Sequence, residues 1–600
     1  MLNPKSDRSN YGMLLHAPDG YRLRNAICTT YSMDLETLMA SVIALSLNEE
    51  TDSELRHPLN DLHAIRSVAD KLIVFCEAGQ IVAPTHSSTL LTLLENMVVE
   101  VALKKVGTQK YYPSFHPKTW IILYDNDEGD IWGRFIVMSR NLTTDRSWDV
   151  SVMIEGKSSN KKEEKNLPLV DFVSFLQTFV KDHKDRNERI LKDIKKYISS
   201  LEFKVDDPFS GYDIIPMGYK NSAKMTEKDL WLKEPSELLI VSPFLDKETI
   251  AHWNSWNNTQ MKLVTRVTEL DSIRDCHENM EVYTLRTEIV EGERNIPEIV
   301  DSDDKSILRE DIHSKMYFWH KGEDKRLYVG SMNASHRGLN VNCEMMLALY
   351  YSDRGTVSLN KLWTEMANTD KKDSPFELVD WDLLIDDEKE VDEREQLAQD
   401  IKTLCRCSLV ANVLNNGGEY DVKILSEDTI PTNITIASML APNNKQNLNK
   451  ETTIKGLKEL ELSEFYIVTA HGNTQNVSKL IRISTTPMPE NRKEMILTNY
   501  LDKPEKFIRY IGLVLAGNDS YNQSCQLNAI LNTNQTKGGV TTQAPALYEQ
   551  LLKASVYNPE QINEIAEIVA QIKSGDIITK EFRDMFAMFY DKEGVRHGNK

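Results

Sequence analysis

SFHPKTWIILYDNDEGDIWGRFIVMSRN, residues 114–141, decides the reading of this chain, because its pattern returns as DIHSKMYFWHKGEDKRLYVGSMN at residues 311–333. Each copy runs His-x-Lys, an apolar stretch, a polar turn, a second apolar stretch and Ser-x-Asn. His116 and Lys118 align with His313 and Lys315, and Ser139 and Asn141 align with Ser331 and Asn333. A repeat of this kind signals duplication of a structural unit. Alternate residues of a strand share a face, so His-x-Lys places both side chains on one side, and Ser-x-Asn does the same. The stretches TWIILY and MYFW, followed by RFIVM and RLYVG, predict one hairpin per copy. Such a hairpin sets His, Lys and Asn side by side. Imidazole, ammonium and carboxamide suit a phosphate diester: Lys and Asn can hold the non-bridging oxygens while His reaches phosphorus or the leaving oxygen. That arrangement calls for no metal and no cofactor.

Outward from the motifs the chain reads as a duplicated α/β fold: mixed sheets with flanking helices, related by a pseudo-twofold axis, followed by a C-terminal β-rich and then helical region. KLIVFCEAGQ (71–80) and ELLIVSPFLD (237–246) are continuous apolar runs of the kind buried parallel strands carry, and they are expected to correspond. TLLTLLENMVVEVAL (89–103) has room for a crossover helix. NAICTTYSMDLETLMASVIALSLNE (25–49) reads as a strand and an amphipathic helix with Asp34 as N-cap. The expected boundaries are 1–160 for the first half, 161–230 for a helical connector and 231–380 for the second half. An acidic linker with a small β-rich domain follows at 381–490, and a helical region at 491–600. YDVKILSE, NITIASML, FYIVTAHG and SKLIRIST supply strands of the β-rich part; PEKFIRYIGLVLAG and EQINEIAEIVAQIKSG supply helices, stopped at Gly517 and Gly575.

Among 600 residues, 71 Lys plus Arg against 91 Asp plus Glu leave a net charge of −20, which argues against a protein that coats polyanions through a basic surface. Nucleic-acid contact must then be local, and from Lys104 to Arg146 there are seven Lys or Arg against five Asp or Glu. Tyr111 and Tyr112 offer base-stacking faces beside the first motif, whereas Trp120, Trp132, Phe318 and Trp319 lie on strands that point as readily into a core. The acidic runs at 301–304 and 386–395 read as solvated faces. Seven scattered cysteines with no CxxC pair and no zinc spacing read as reduced packing residues. No apolar run has membrane-span length and no signal-peptide core precedes residue 30, so a cytoplasmic address is expected.

At these residues the chain resembles the phospholipase D superfamily, defined by paired HxK…N motifs, and within it the tyrosyl-DNA phosphodiesterase and bacterial phospholipase-D-like nuclease branch. The resemblance spans about residues 25–380. The usual Asp five residues after each Lys is replaced by Leu123 and His320, as happens in the tyrosyl-DNA phosphodiesterase branch. It implies a nucleophilic His116 that forms a phosphohistidine and an acid/base His313, with the reverse order open. Lys118, Lys315, Asn141 and Asn333 would bind phosphate, with Ser139 and Ser331 assisting. Asp149 and Glu344, eight and eleven residues after the asparagines, would orient the imidazoles. The implied activity is cleavage of nucleic acid, DNA ahead of RNA, in a setting such as bacterial genome defence. Phospholipid cleavage, repair of adduct-bearing DNA ends and a non-catalytic binding subunit stand as alternatives. A homodimer, or a partner ATPase or helicase docked on the C-terminal region through a helix such as QINEIAEIVAQI, is the partner expectation; no membrane partner is expected.

Overall fold

The computed structural model describes residues 11–46, 58–105, 112–144, 147–219, 233–286, 311–352, 357–367, 374–383, 393–516, 543–572 and 577–590. Tyr111, the acidic run at 301–304, most of that at 386–395, and the helix stops Gly517 and Gly575 lie outside them.

The first half is a six-stranded mixed sheet built from β1 (Arg22–Thr30), β2 (Leu72–Glu77), β3 (Val98–Val101), β4 (Thr119–Asp125), β5 (Ile131–Met138) and β6 (Ser151–Lys157), in the order β3-β2-β1-β4-β5-β6. The motif hairpin is β4–β5, antiparallel with Trp120 opposite Ile136. β1, β2 and β3 are parallel, and α1 (Leu35–Ser46) with α2 (Pro58–Val68) makes the β1-to-β2 crossover. Both faces of this sheet are covered, which is why TWIILY is buried at every position. Trp120, Ile122 and Tyr124 face α1 and α2, while Ile121 and Leu123 face the opposite core.

Two helices, α3 (Leu167–Gln177) and α4 (Lys184–Ile198), lead to the second half. Its strands are β7 (Phe209–Met217), β8 (Glu237–Val241), β9 (Gln260–Val264), β10 (Met280–Leu285), β11 (Met316–Lys321), β12 (Asp324–Gly330), β13 (Glu344–Tyr351) and β14 (Phe376–Leu378), ordered β14-β10-β9-β8-β11-β12-β13-β7. The run β10-β9-β8-β11-β12-β13 repeats the order, and the parallel or antiparallel sense, of the whole first sheet. Inner faces of both sheets share one core with α3 and α4, through residues such as Phe135, Phe172, Ile194, Leu239 and Phe318.

Three expectations change. The strand equivalent to β8 is β1, not the run at 71–80: Cys28 on β1 faces Trp120 and Ile240 on β8 faces Tyr317, each partner lying two residues after its motif Lys. The stretch 89–103 holds a 3-10 segment, Thr89–Met97, and then strand β3, instead of a crossover helix. The connector is helical only as far as Ile198; from Phe209 it is an edge strand of the second sheet, paired with β13.

In the C-terminal region α6 (Glu393–Leu404) packs on a β domain of β15 (Leu409–Asn416), β16 (Glu419–Ser426), β17 (Ile434–Ser438), β18 (Glu451–Leu457), β19 (Phe465–His471) and β20 (Asn476–Arg482). Ile81–Val82 of the first half adds a strand to its sheet beside β20, so this domain is stitched to the first half. Helices Pro504–Ala516, Pro559–Gln571 and Lys580–Phe586 close over α1 and α2. The apolar face of the 559–571 helix, proposed for docking, is buried in the chain's own core through Ile562, Ile565, Ala566 and Ile568. Among the described residues no helix is long and apolar enough to cross a membrane.

Candidate active site

The two halves meet where their motifs meet. The residue before each motif histidine pairs with the residue before a carboxylate of the other half: Phe115 bridges to Cys343, next to Glu344, and Ile312 pairs with Trp148, next to Asp149. Each imidazole therefore falls against the other half's carboxylate. His116 Nδ1 lies 2.8 Å from Glu344 Oε2, and His313 Nδ1 lies 3.3 Å from Asp149 Oδ1. A ring held through Nδ1 has a fixed orientation and turns Nε2 to the chemistry. The histidine side chains are 12% and 11% exposed, so both rings are mostly buried.

Both lysines are buried and tied down, Lys118 Nζ to the His116 carbonyl at 2.9 Å and Lys315 Nζ to the His313 carbonyl at 2.6 Å. Three residues past the end of the other hairpin strand, Asn141 and Asn333 each carry a buried Oδ1 without a hydrogen-bond partner, a matching pair of unsatisfied groups. The backbone after each asparagine is held alike: Leu142 N–H donates to Thr30 Oγ1 and Ala334 N–H donates to Ser242 Oγ. Asp34 and Asp246 cap equivalent helices, α1 and α5 (Lys247–Asn254), and also accept from Thr144 N–H and His336 N–H. The duplication thus extends to the polar groups that hold the site.

Ser139 and Ser331, expected on substrate, are instead fully buried behind the carboxylates. Ser139 Oγ donates to Asp149 at 2.8 Å and Ser331 Oγ donates to Glu344 at 2.5 Å. They fix the groups that fix the histidines. Tyr112 is 40% exposed, but its ring carries the Arg406 guanidinium at 4.1 Å and the Lys105 ammonium at 4.6 Å from the centroid, so it presents cations more than a bare stacking face. Trp120 and Phe318 are core residues.

The pseudo-symmetry breaks in charge. Burial pushes the Glu344 carboxyl up to about 8, with Lys118 and the Ser331 hydroxyl pulling the other way. Burial also opposes ionisation of Asp149, yet hydrogen bonds from His313, Ser147 and Ser139 hold it below the ordinary carboxylate value. Burial, then Lys118 and Lys315, lowers His116 well below its usual range; burial and Lys315 lower His313 to about 3, against the pull of Asp149. Lys315 is itself lowered, by burial first and Lys118 second. With Asp149 alone held ionised beside two buried lysines, the site is short of negative charge.

Sequence reasoning missed a second pair. Glu77, just past Cys76 on the strand beside β1, and Arg266, two residues past β9, occupy equivalent places: Glu77 Oε2 accepts from Phe115 N–H at 2.8 Å, and Arg266 Nε donates to the Ile312 carbonyl at 2.8 Å. Each grips the residue before a motif histidine, but with opposite charge. Tyr31, whose ring meets the His116 ring edge-on at 5.1 Å between centroids, was also missed.

No protein-family model matches the chain, and none of the curated proteins matches it. Solved structures similar to it include yeast tyrosyl-DNA phosphodiesterase, at 12% identity over 57% of this chain and 85% of that one, with a TM-score of 0.33. The phosphatidylserine synthase of Haemophilus influenzae Rd KW20 matches at 10% identity over 66% of this chain and 88% of its own, TM-score 0.33. The polyphosphate kinase of Porphyromonas gingivalis matches at 14% identity over 66% of this chain and 50% of its own, TM-score 0.30. All three are of the phospholipase D superfamily.

Proposed function

We propose that this chain is a phosphodiesterase of the phospholipase D superfamily that cleaves nucleic acid, with His116 as nucleophile and His313 as acid and base. The supporting observation is the exchange of His–carboxylate pairs between halves, with Lys118 and Lys315 acting electrostatically on both imidazoles. In this reading His116 Nε2 attacks phosphorus, and a nitrogen–phosphorus bond forms as the bond to the leaving oxygen breaks. That oxygen takes a proton from His313. His313 then accepts a proton from water, whose oxygen displaces His116 and releases the phosphate. Lys118, Lys315, Asn141 and Asn333 hold the non-bridging oxygens as charge builds on them.

The unequal carboxylates favour this order of roles. A general acid must carry a proton before the leaving group departs, and ionised Asp149 supports an imidazolium at His313 once a phosphate anion offsets Lys315. Glu344, neutral near pH 7, supports no such cation at His116, which suits a nucleophile that must be unprotonated. Two central ammonium groups also repel a divalent cation, so the reaction is proposed to be independent of metal. The test is cleavage of labelled single- and double-stranded DNA and RNA in excess EDTA by wild type, His116→Ala and His313→Ala. Cleavage by the wild type alone is expected. Cleavage that needs a metal and survives both substitutions would refute the proposal.

A further inference from the structure

The His116 side of the site is finished by residues from the C-terminal region, which has no counterpart in the duplicated halves. Lys402, on α6, donates from Nζ to Tyr31 Oη at 3.0 Å, and its ammonium lies 5.2 Å from the centroid of the Tyr31 ring, the ring that edges onto His116. Arg406, one turn on, donates to the Lys402 carbonyl at 2.6 Å, approaches Glu77 at 3.6 Å and lies over Tyr112. Lys105 reaches the same Tyr112 ring. Across the pseudo-twofold axis the equivalent ground is held by Arg266, paired with Asp311 at 2.9 Å and lying over the ring of Phe244, 43% exposed.

The comparison of the two sides carries the inference. On the His313 side the sheet itself supplies a cation, Arg266. On the His116 side the equivalent position is the carboxylic acid Glu77, and cations arrive from outside the repeat. One buried acid accounts for one counter-charge, yet Lys402 and Arg406 both act on it, in a chain whose net charge is −20. Burial pushes Glu77 up to about 7, with Lys402 and Arg406 pulling it down. Glu77 is therefore only partly ionised near neutral pH, and the Lys402 ammonium also acts on His116.

We propose that the C-terminal β domain completes the substrate site, with Lys402 and Arg406 binding the phosphate that neighbours the scissile one on the His116 side. This rests on the phosphodiesterase reading above and narrows it. The preferred substrate is a strand with consecutive phosphates, because an isolated diester, including a phospholipid, offers nothing to this second subsite. Lys402 acts here as a substrate-binding residue.

The test compares a short fluorescein-labelled oligonucleotide with bis(p-nitrophenyl) phosphate, a diester with one phosphate. For Lys402→Met, the ratio of kcat/KM on the oligonucleotide to that on the small diester is expected to fall about tenfold, mainly through KM, as loss of one charge-assisted contact implies. The slope of log affinity against log salt should shrink by about 0.7, the single-strand value for one phosphate contact. Lys402→Arg should restore most of the ratio, and Lys423→Met, a charge change elsewhere on the same domain, should leave it unaltered. Equal losses on both substrates would show that Lys402 only holds the domain in place, and an unchanged ratio would exclude the subsite; either result overturns the inference. If the wild type cleaves neither substrate the phosphodiesterase reading fails by itself. Fluorescence anisotropy of the oligonucleotide then decides the subsite: binding about tenfold weaker in Lys402→Met supports it, and equal binding refutes it.

Discussion

Replacing the two orienting carboxylates by their amides should have unequal effects. In Asp149→Asn the histidine loses a partner that is ionised at neutral pH. With Asp149 Oδ1 and His313 Nδ1 3.3 Å apart, an imidazolium and a carboxylate attract by about 5 kcal/mol at an effective dielectric near 20, an upper limit on what the acid form of His313 loses. General acid–base catalysis contributes about 10²–10⁴-fold, so a fall in kcat of roughly 10³-fold is expected. In Glu344→Gln little charge is lost, because burial pushes Glu344 up to about 8 and it is mostly protonated at pH 7. The amide oxygen still accepts from the Ser331 hydroxyl, so the fall should stay within about tenfold, or ~1.4 kcal/mol. The assay is single-turnover cleavage of a labelled oligonucleotide at pH 7, which isolates the chemical step. Above pH 8 the wild type acquires the Glu344 charge and the Gln variant does not, so their profiles should separate only there. Equal losses in the two variants, or a larger loss in Glu344→Gln at pH 7, would refute the assignment of His313 as the acid.

Three further outcomes are expected. Thermal melts of Glu344→Gln and wild type should diverge as pH rises: a carboxyl raised to about 8 when folded binds its proton more tightly there than in the unfolded chain, so wild-type stability falls from about pH 4.5 to 8 while the variant's does not, and the gap is constant above that. His313 has the opposite sign: lowered to about 3 when folded, it contributes stability that is fully present above about pH 6.5 and is lost as pH falls toward 3, so acid unfolding of His313→Asn should start at lower pH than that of wild type. Gly218→Ala should destabilise by more than ~2 kcal/mol and reduce cleavage as well, since φ is +74° and a Cβ would lie 1.9 Å from the Asn342 carbonyl, which sits beside Glu344; Gly417→Ala, at φ +73° with open space around it, should cost only about 1 kcal/mol in the same denaturant titration.

What the sequence disclosed and what it hid follow from how far each contact reaches along the chain. His116 and Lys118 precede one hairpin and Asn141 follows it, so their spacing is set by two strands and a turn and can be read directly. Glu344 begins the strand that pairs with its hairpin and Asp149 lies two residues before the equivalent strand, so those carboxylates are legible too, although at unequal distances. The role of the serines was not legible. Ser-x-Asn shows that Ser139 and Asn141 share a face, but only the register with residues 149–151 shows that the hydroxyl lies behind the carboxylate. Strand β7 escaped notice because its partner β13 lies more than a hundred residues on, and FSGYDIIPM, with a Gly and a Pro, suits an edge more than a core. The mismatched strand equivalence has a similar cause. RLRNAICTT is less apolar than LIVFCE, yet it is the central strand.

Duplication explains why the site is symmetric in geometry. Two identical halves would give two histidines with the same affinity for a proton, and unequal surroundings assign the roles of nucleophile and proton donor before any substrate arrives. The chain breaks the tie at three depths. Asp stands where the other half has Glu at the orienting carboxylate, and the shorter side chain keeps three donors and stays ionised while the longer one is wholly buried. Glu77 stands where the other half has Arg266, which reverses the charge behind each histidine. The C-terminal region then restores positive charge on the Glu77 side through Lys402 and Arg406. The first two differences lie within the repeat, and of the groups involved Asp149 raises the proton affinity of His313. The third comes from outside it and bears on which anion can reach His116, so a duplicated core can keep its chemistry while an appended domain alters its substrate.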